Sequence, residues 1–159
     1  KWDNAPMILD KQKLEIVPII EDIIENIKLK YLTIDIKILT KLPKISIEAD
    51  AFHFSNLVYN LIDNSIKYCN SKPEITMKIS MTPKYLLLEF IDNGIGISEK
   101  NLPFIFDKFY RISNQKNNEV DGFGLGLYYV KKVCTLHKWN VFVKNNLSKG
   151  ITTSIRIIM

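Results

Sequence analysis

Two asparagines one helical turn apart, one aspartate at the end of an apolar alternation and two knots of glycine are the residues of this chain best suited to chemistry. Asn56, Asn60, Asp63, Asn64 and Lys67 recur at three- and four-residue spacing, so they share one face of a predicted helix. That face lacks the long flexible charges that normally solvate a helix surface. An asparagine oxygen is a hard, neutral ligand of the kind Mg²⁺ accepts. Asp92 is an acceptor-only carboxylate. It opens the first glycine cluster, Asp92-Asn93-Gly94-Ile95-Gly96, which directly follows a predicted strand; the second, Gly122-Phe123-Gly124-Leu125-Gly126, directly precedes a predicted helix. Glycine lets backbone approach a ligand closely, and the free N–H groups of a helix N-terminus attract phosphate. A lone cluster is more often a plain turn. Neither cluster is a P-loop, because no Gly-Lys-Ser/Thr follows either, and a Rossmann fingerprint fails at Leu127, where a third glycine is required. The protein-kinase motif set is absent as well.

The elements that must carry these residues follow from periodicity. Residues 18–30 place Ile19, Ile20, Ile23, Ile24 and Ile27 at helical spacing after Pro18, a residue tolerated at the first helical position. From Thr33 to Leu39 the pattern alternates, which indicates a strand with one buried face, and Ile45 to Ile47 forms a second, short strand. Asp50 is a good N-cap for a helix reaching about Tyr68, whose core face is Phe54, Val58, Leu61, Ile62 and Ser65. Strands 75–81 and 85–91 flank Thr82-Pro83-Lys84, a hairpin turn. A polar segment after Asp107 runs to the second glycine cluster, Gly126 opens a helix to about His137, and strands near 141–144 and 152–158 complete the chain. Mixed strands with three substantial helices give an α/β sandwich, not a regular βαβ alternation.

Length and composition bound the rest. With 159 residues the chain suits one domain, and residues 1–12, which contain Asn4 and Pro6, are read as the end of a linker ahead of a domain over 13–159. The net charge of +5 is carried by twenty lysines and only two arginines, Arg111 and Arg156, a modest excess that is no nucleic-acid signature. Aliphatic, aromatic and cysteine residues at 47% exclude intrinsic disorder. No apolar run reaches the length of a membrane span. Cys69 and Cys134 are too few and too isolated for a disulfide framework or zinc site, so free thiols in a reducing compartment are expected. The chain starts at Lys1 without a signal-peptide pattern and reads as a piece of a longer protein.

The combination of motifs is specific. Asn60-Leu61-Ile62-Asp63-Asn64-Ser65-Ile66-Lys67-Tyr68, then Asp92 to Ile97, then Phe104-Ile105-Phe106-Asp107-Lys108-Phe109-Tyr110-Arg111, then Gly122 to Leu127, closely resembles the catalytic and ATP-binding domain of bacterial sensor histidine kinases. These match its N box, first glycine box, F box and second glycine box in order, and Gly150-Ile151-Thr152 is similar to the family's last glycine–threonine element. The resemblance implies the GHKL-type fold: a two-layer sandwich of a mixed, mostly antiparallel sheet with about three helices on one face, ATP between the helices and a mobile lid over about 107–122. It further implies ATP and Mg²⁺ as ligands, Asn64 as the metal ligand, and Asn60 orienting phosphates and metal waters. Lys67 and Tyr68 would stand near the phosphates. Asp92 would accept the adenine amino group, and Gly94 and Gly96 would keep side chains out of the space for the base. Gly122, Gly124, Gly126, Leu127 and Thr152 complete the nucleotide site, while Arg111, with Lys108 as the weaker candidate, would hold the γ-phosphate. Phe104, Phe106, Phe109 and Tyr110 are read as anchors at the base of the lid.

Related GHKL ATPases carry a glutamate where Asn60 stands. An amide cannot serve as a general base, so phosphoryl transfer fits better than hydrolysis. The acceptor implied by the family is a histidine on a separate dimerisation domain of the same protein, with a response regulator downstream. Neither His53 nor His137 has the surroundings of that acceptor, and both are expected to be structural or solvated. The resemblance further implies a cytoplasmic domain, monomeric by itself, from a homodimeric parent that is either free or anchored in the cytoplasmic membrane, with no nucleic-acid partner. A GHKL-type ATPase, an anti-sigma-like serine kinase and a degenerate interaction module are the competing readings.

Overall fold

The computed structural model describes residues 6–110 and 126–159. Five strands form the main sheet in the order β2-β4-β5-β7-β6, with β2 (Asp35–Thr40) parallel to β4 (Glu74–Met81). The remaining pairs, through β5 (Tyr85–Asp92), β7 (Ile151–Ile158) and β6 (Asn140–Asn145), are antiparallel. A separate two-stranded sheet pairs β1 (Lys11–Glu15) with β3 (Ser46–Asp50). The expected linker therefore ends sooner than residue 12. Lys11 and Gln12 are exposed and give no apolar alternation, yet their backbones are paired with Asp50 and Ala49.

Three helices pack with the sheet around one core. In β4, β5 and β7 every second residue, including Met77, Leu88 and Ile155, is buried in that core with Ile20 of α1 (Ile16–Lys30), Phe54 of α2 (Ala51–Lys67) and Val130 of α3 (Gly126–Leu136). Helix α1 begins two residues before Pro18, which is its third residue. The first N–H groups of any helix lack intrahelical acceptors, so proline fits there as well as at the first position. Helix α2 packs against both neighbours and holds the expected core face, with Leu57 added to it. A Schellman motif ends α3: Trp139 N–H reaches the Cys134 carbonyl at 2.8 Å, Lys138 N–H reaches Thr135 at 3.0 Å, and Lys138 takes φ +62°. Burial pushes the Cys134 thiol up to about 12, against a small opposing pull from Lys131, so it is inert as a nucleophile. Among the described residues no helix is long and apolar enough to cross a membrane.

Asp50 joins several of these parts. Its Oδ1 accepts the His53 N–H (3.1 Å), capping α2, and its Oδ2 accepts the Asp10 N–H (2.8 Å). Burial pushes this carboxyl up, but the backbone donors of Asp10 and His53 outweigh it and hold the pKa below the ordinary range. The Asp50 N–H in turn donates to His137 Nε2 (3.1 Å), while His137 Nδ1 lies 2.8 Å from the Val133 carbonyl. The ring stacks on Trp139 with centroids 4.2 Å apart. Both histidines thus have structural partners, since His53 Nδ1 shares a 2.6 Å hydrogen bond with the Tyr129 hydroxyl.

Burial lowers the His137 pKa, aided by the nearby Lys11 charge and opposed by the Val133 carbonyl. A proton on Nε2 would also face the Asp50 N–H donor. With the folded pKa below the unfolded one, the unfolded chain binds more protons as pH falls below about 6.5, so stability is lost over that descent. Asp50 has the same sign and adds its loss near and below pH 4. Thermal unfolding should therefore show Tm falling from pH 7.5 to 5.5. In His137→Gln, which keeps an acceptor but cannot titrate, the fall should be smaller; an equal fall would remove His137 from the account.

Candidate functional site

The C-terminal half of α2, the end of β5 with the loop after it, the first turn of α3 and the segment at 105–110 surround a cleft enclosing about 110 Å³. That is several times the space one water requires. Asp92 lies at its floor, 7% exposed. Its Oδ1 accepts the N–H groups of Gly94 and Ile151, both at 3.0 Å, and its Oδ2 accepts the Ser65 hydroxyl at 2.7 Å. A carboxylate offers about four lone-pair positions, so Oδ2 retains one. A cleft whose floor is a buried acceptor, with Ile95, Ile97, Ile105 and Leu127 in its walls, suits a flat apolar ring that carries an N–H donor.

The opposite end is polar. Asn64 lines the cleft beside Gly126, the first residue of α3: a Cβ on Gly126 would stand 3.5 Å from Asn64 Nδ2 and 3.6 Å from both Asn64 Oδ1 and Asn60 Oδ1. Asn60 donates its amide to the Asn56 carbonyl (2.8 Å), so its oxygen is the atom turned toward α3. Two amide oxygens thus meet the first turn of a helix, whose early N–H groups have no intrahelical partner. This is a combination for phosphate and for a hard cation. Among the described residues no three His, Cys, Asp or Glu side chains converge on a metal position. A cation at Asn64 would draw its other ligands from phosphate and water, the habit of Mg²⁺.

Of the residues singled out from sequence, Asn64, Tyr68, Asp92, Gly94 and Gly96 line the cleft, as do Gly126 and Leu127. Asn60 stands one turn from Asn64 on the same helix. Three others are not in the lining. Lys67 is paired with Asp63 at 2.9 Å, its neighbour four residues back, and is not in the lining. Lys108 lies over the Phe109 ring at 5.0 Å, outside the lining. Thr152 donates to Asn146 Oδ1 at 2.6 Å and faces away, whereas Thr153, one residue on and therefore on the other face of β7, is buried at the cleft. Arg111, Gly122 and Gly124 lie outside the described residues.

The aromatic anchors divide. Phe106 packs on the core, whereas Phe104 and Phe109 are 48% and 61% exposed, and Ile105 is the buried residue of that segment. Tyr110 lines the cleft and donates to Asn101 Oδ1 at 2.6 Å. Nor does Gly94 serve mainly to clear space for a ligand: a Cβ there would meet the Tyr68 carbonyl oxygen at 2.7 Å, so the requirement is the close approach of the loop to the end of α2. Sequence reasoning passed over Ser65 as a member of the core face. The signal was available, since a lone hydroxyl on an otherwise apolar stripe needs a partner when buried. Thr153 was legible from the alternation with Ile155 and Ile157.

Residues 49–159 match the family of histidine kinase-, DNA gyrase B-, and HSP90-like ATPases. The chain is 34% identical over 153 residues to the sensor protein RprX of Bacteroides fragilis, covering 94% of this chain and 30% of RprX. It therefore spans under a third of that relative's length. In fold it is similar to full-length ShkA in complex with AMPPNP, with a TM-score of 0.81 at 20% identity over 96% of this chain and 32% of ShkA. It is also similar to the histidine kinase ThkA in complex with the response regulator protein TrrA, with a TM-score of 0.79 at 17% identity over 99% of this chain and 44% of that one.

Among the described residues Gly150 is the most constrained glycine. It has φ +84°, and a Cβ would fall 2.0 Å from the Asp92 carbonyl oxygen. Gly150→Ala should cost about 2–4 kcal/mol in a urea unfolding experiment, the scale of backbone strain plus overpacking. Gly126→Ala, whose methyl meets ordinary contacts, should unfold within about 1 kcal/mol of the parent. Similar costs at the two positions would contradict this geometry.

Proposed function

The chain belongs to the histidine kinase-, DNA gyrase B- and HSP90-like ATPase family, as a catalytic domain of the sensor histidine kinase kind, and from that premise we propose that it binds ATP with Mg²⁺ in this cleft and phosphorylates a histidine. The observation that carries the reading is Asp92: a buried carboxylate held by three neutral donors, with one acceptor position left in a flat apolar cleft. The adenine amino group is a donor where guanine offers a carbonyl, so Asp92 selects adenine. The ring lies between the isoleucine walls, and the phosphates extend toward Asn60, Asn64 and the first turn of α3. Asn64 Oδ1 would hold Mg²⁺, which would supply positive charge to offset that of the phosphates.

Transfer then consists of positioning and charge stabilisation. The bond from the γ-phosphorus to its bridging oxygen breaks, ADP leaves with the electron pair, and a P–N bond forms to the acceptor imidazole. Asn60 argues against water as the acceptor, because an amide oxygen has too little basicity to take a proton from it. Arg111 supplies a planar guanidinium for the transferred group. The acceptor histidine belongs to a dimerisation domain of the same protein, the product feeds a response regulator, and the domain works on the cytoplasmic side of a homodimeric parent. The ATPase and serine-kinase readings are separated from this one by the acid lability of the phosphorylated partner, since phosphohistidine is lost in acid and phosphoserine is not.

Asp92→Asn should weaken ATP binding at least about a hundredfold in calorimetry, because a buried acceptor is exchanged for a donor. Asn64→Ala should bind nucleotide but lose the gain that Mg²⁺ gives; undiminished Mg²⁺-dependent affinity in both variants would sink the site assignment. Arg111→Ala should keep ATP affinity while transfer to an added histidine domain falls about 10²–10³-fold. If affinity and transfer fell together, Arg111 would instead hold the ground state.

A further inference from the structure

The loop that follows Asp92 is fastened at both ends by two consecutive residues of the β6–β7 hairpin. Asn145 Oδ1 accepts the Ile97 N–H at 2.9 Å, and Asn145 Nδ2 donates to the Ile97 carbonyl at 2.5 Å. One side-chain amide thus pairs with both polar groups of one backbone residue, as a neighbouring strand would. Asn146, the first residue after β6, donates its Nδ2 to the Asp92 carbonyl at 2.9 Å and to the Lys149 carbonyl at 3.0 Å. The Thr152 hydroxyl donates to Asn146 Oδ1 and fixes that amide's orientation. Gly96, between the two anchors, has Asn145 Oδ1 as the nearest atom a Cβ would meet, at 3.1 Å.

We propose that Asn145 and Asn146 are positioning residues for adenine recognition: they clamp the 92–97 loop so that the Asp92 carboxylate and the Ile95–Ile97 wall are set before the nucleotide arrives. This rests on the ATP-binding reading above. The physical need is specific. Residues 93–97 belong to no strand, so their backbone groups have no ladder to hold them. Ile97 N–H and C=O have in Asn145 the partners that a strand would give. The Asp92 carbonyl, at the point where β5 ends, has its donor in Asn146. Without the clamp the wall must be ordered when the base binds, and that ordering subtracts from affinity. The clamp also assigns Thr152 a part: it acts through Asn146, not on the nucleotide.

Asn145 is an exposed side chain, so its truncation leaves the core intact. In Asn145→Ala, and in the isosteric Asn145→Asp, which keeps the acceptor but turns a carboxylate oxygen toward the Ile97 carbonyl, amide hydrogen exchange at Ile97 should quicken in nucleotide-free protein. ATP affinity should fall about tenfold, the worth of one to two net hydrogen bonds, with thermal unfolding near that of the parent. Leu147→Ala, at the exposed tip of the same hairpin, should change neither. Unaltered exchange at Ile97 would show that no clamp exists. Faster exchange with unaltered ATP affinity would show that the clamp does not position the purine wall, and either result overturns the proposal while the ATP reading stands. Failure of the parent domain to bind ATP would overturn that reading and the proposal with it.

Discussion

A buried carboxylate left without hydrogen-bond donors is costly, and this fold is arranged around satisfying one. Asp92 is held by a hydroxyl from α2, an amide from the loop it opens and an amide from the start of β7. Those donors come from residues 65, 94 and 151, so the carboxylate is satisfied only when the two halves of the chain have met. Each unmade bond to a buried charged acceptor costs about 1–3 kcal/mol, more than most surface contacts contribute. Gly94 and Gly150 follow from the same constraint, because a side chain at either would push backbone away from the place where Asp92 needs its donors.

How legible this was depended on distance along the chain. A 3.6-residue period and an Asp50 cap are both local signals, and together they place α2 almost to the residue. The alternation of β4 and β5 and the turn at Thr82–Lys84 were equally plain, with Thr82 N–H closing on Tyr85 at 2.9 Å. The parallel pairing of β2 with β4 and the separate β1–β3 ribbon left no local trace, since strand partners are chosen by the whole fold. Lys11 and Gln12 look like linker in the sequence for that reason: exposed strand residues paired only through backbone have no composition of their own.

The site shows the same division. Side-chain chemistry is local, so the acceptor of Asp92 and the amide of Asn64 are legible from residue type alone, and both residues line the cleft. Orientation was read less well. Thr152 and Thr153 differ by one residue, and in a strand one residue is the difference between two faces. Lys67, expected near the phosphates, pairs with Asp63 one turn back on the same helix. Gly94, expected to leave space for the base, makes room for the Tyr68 carbonyl, and Gly150 likewise makes room for Asp92.

The ribbon of β1 and β3 has a mechanical side. Lys11 lies opposite Asp50, the residue that caps α2, and Glu15 lies opposite Ser46 at the far end. A load running from residue 10 into α2 therefore enters and leaves at the same end of the ladder. Such a load opens the ribbon rung by rung like a zipper and does not shear its rungs together. The first link it meets is the 2.8 Å bond from Asp10 to the Asp50 carboxylate, so tension on the incoming chain is felt first at the start of the helix that bears Asn60 and Asn64.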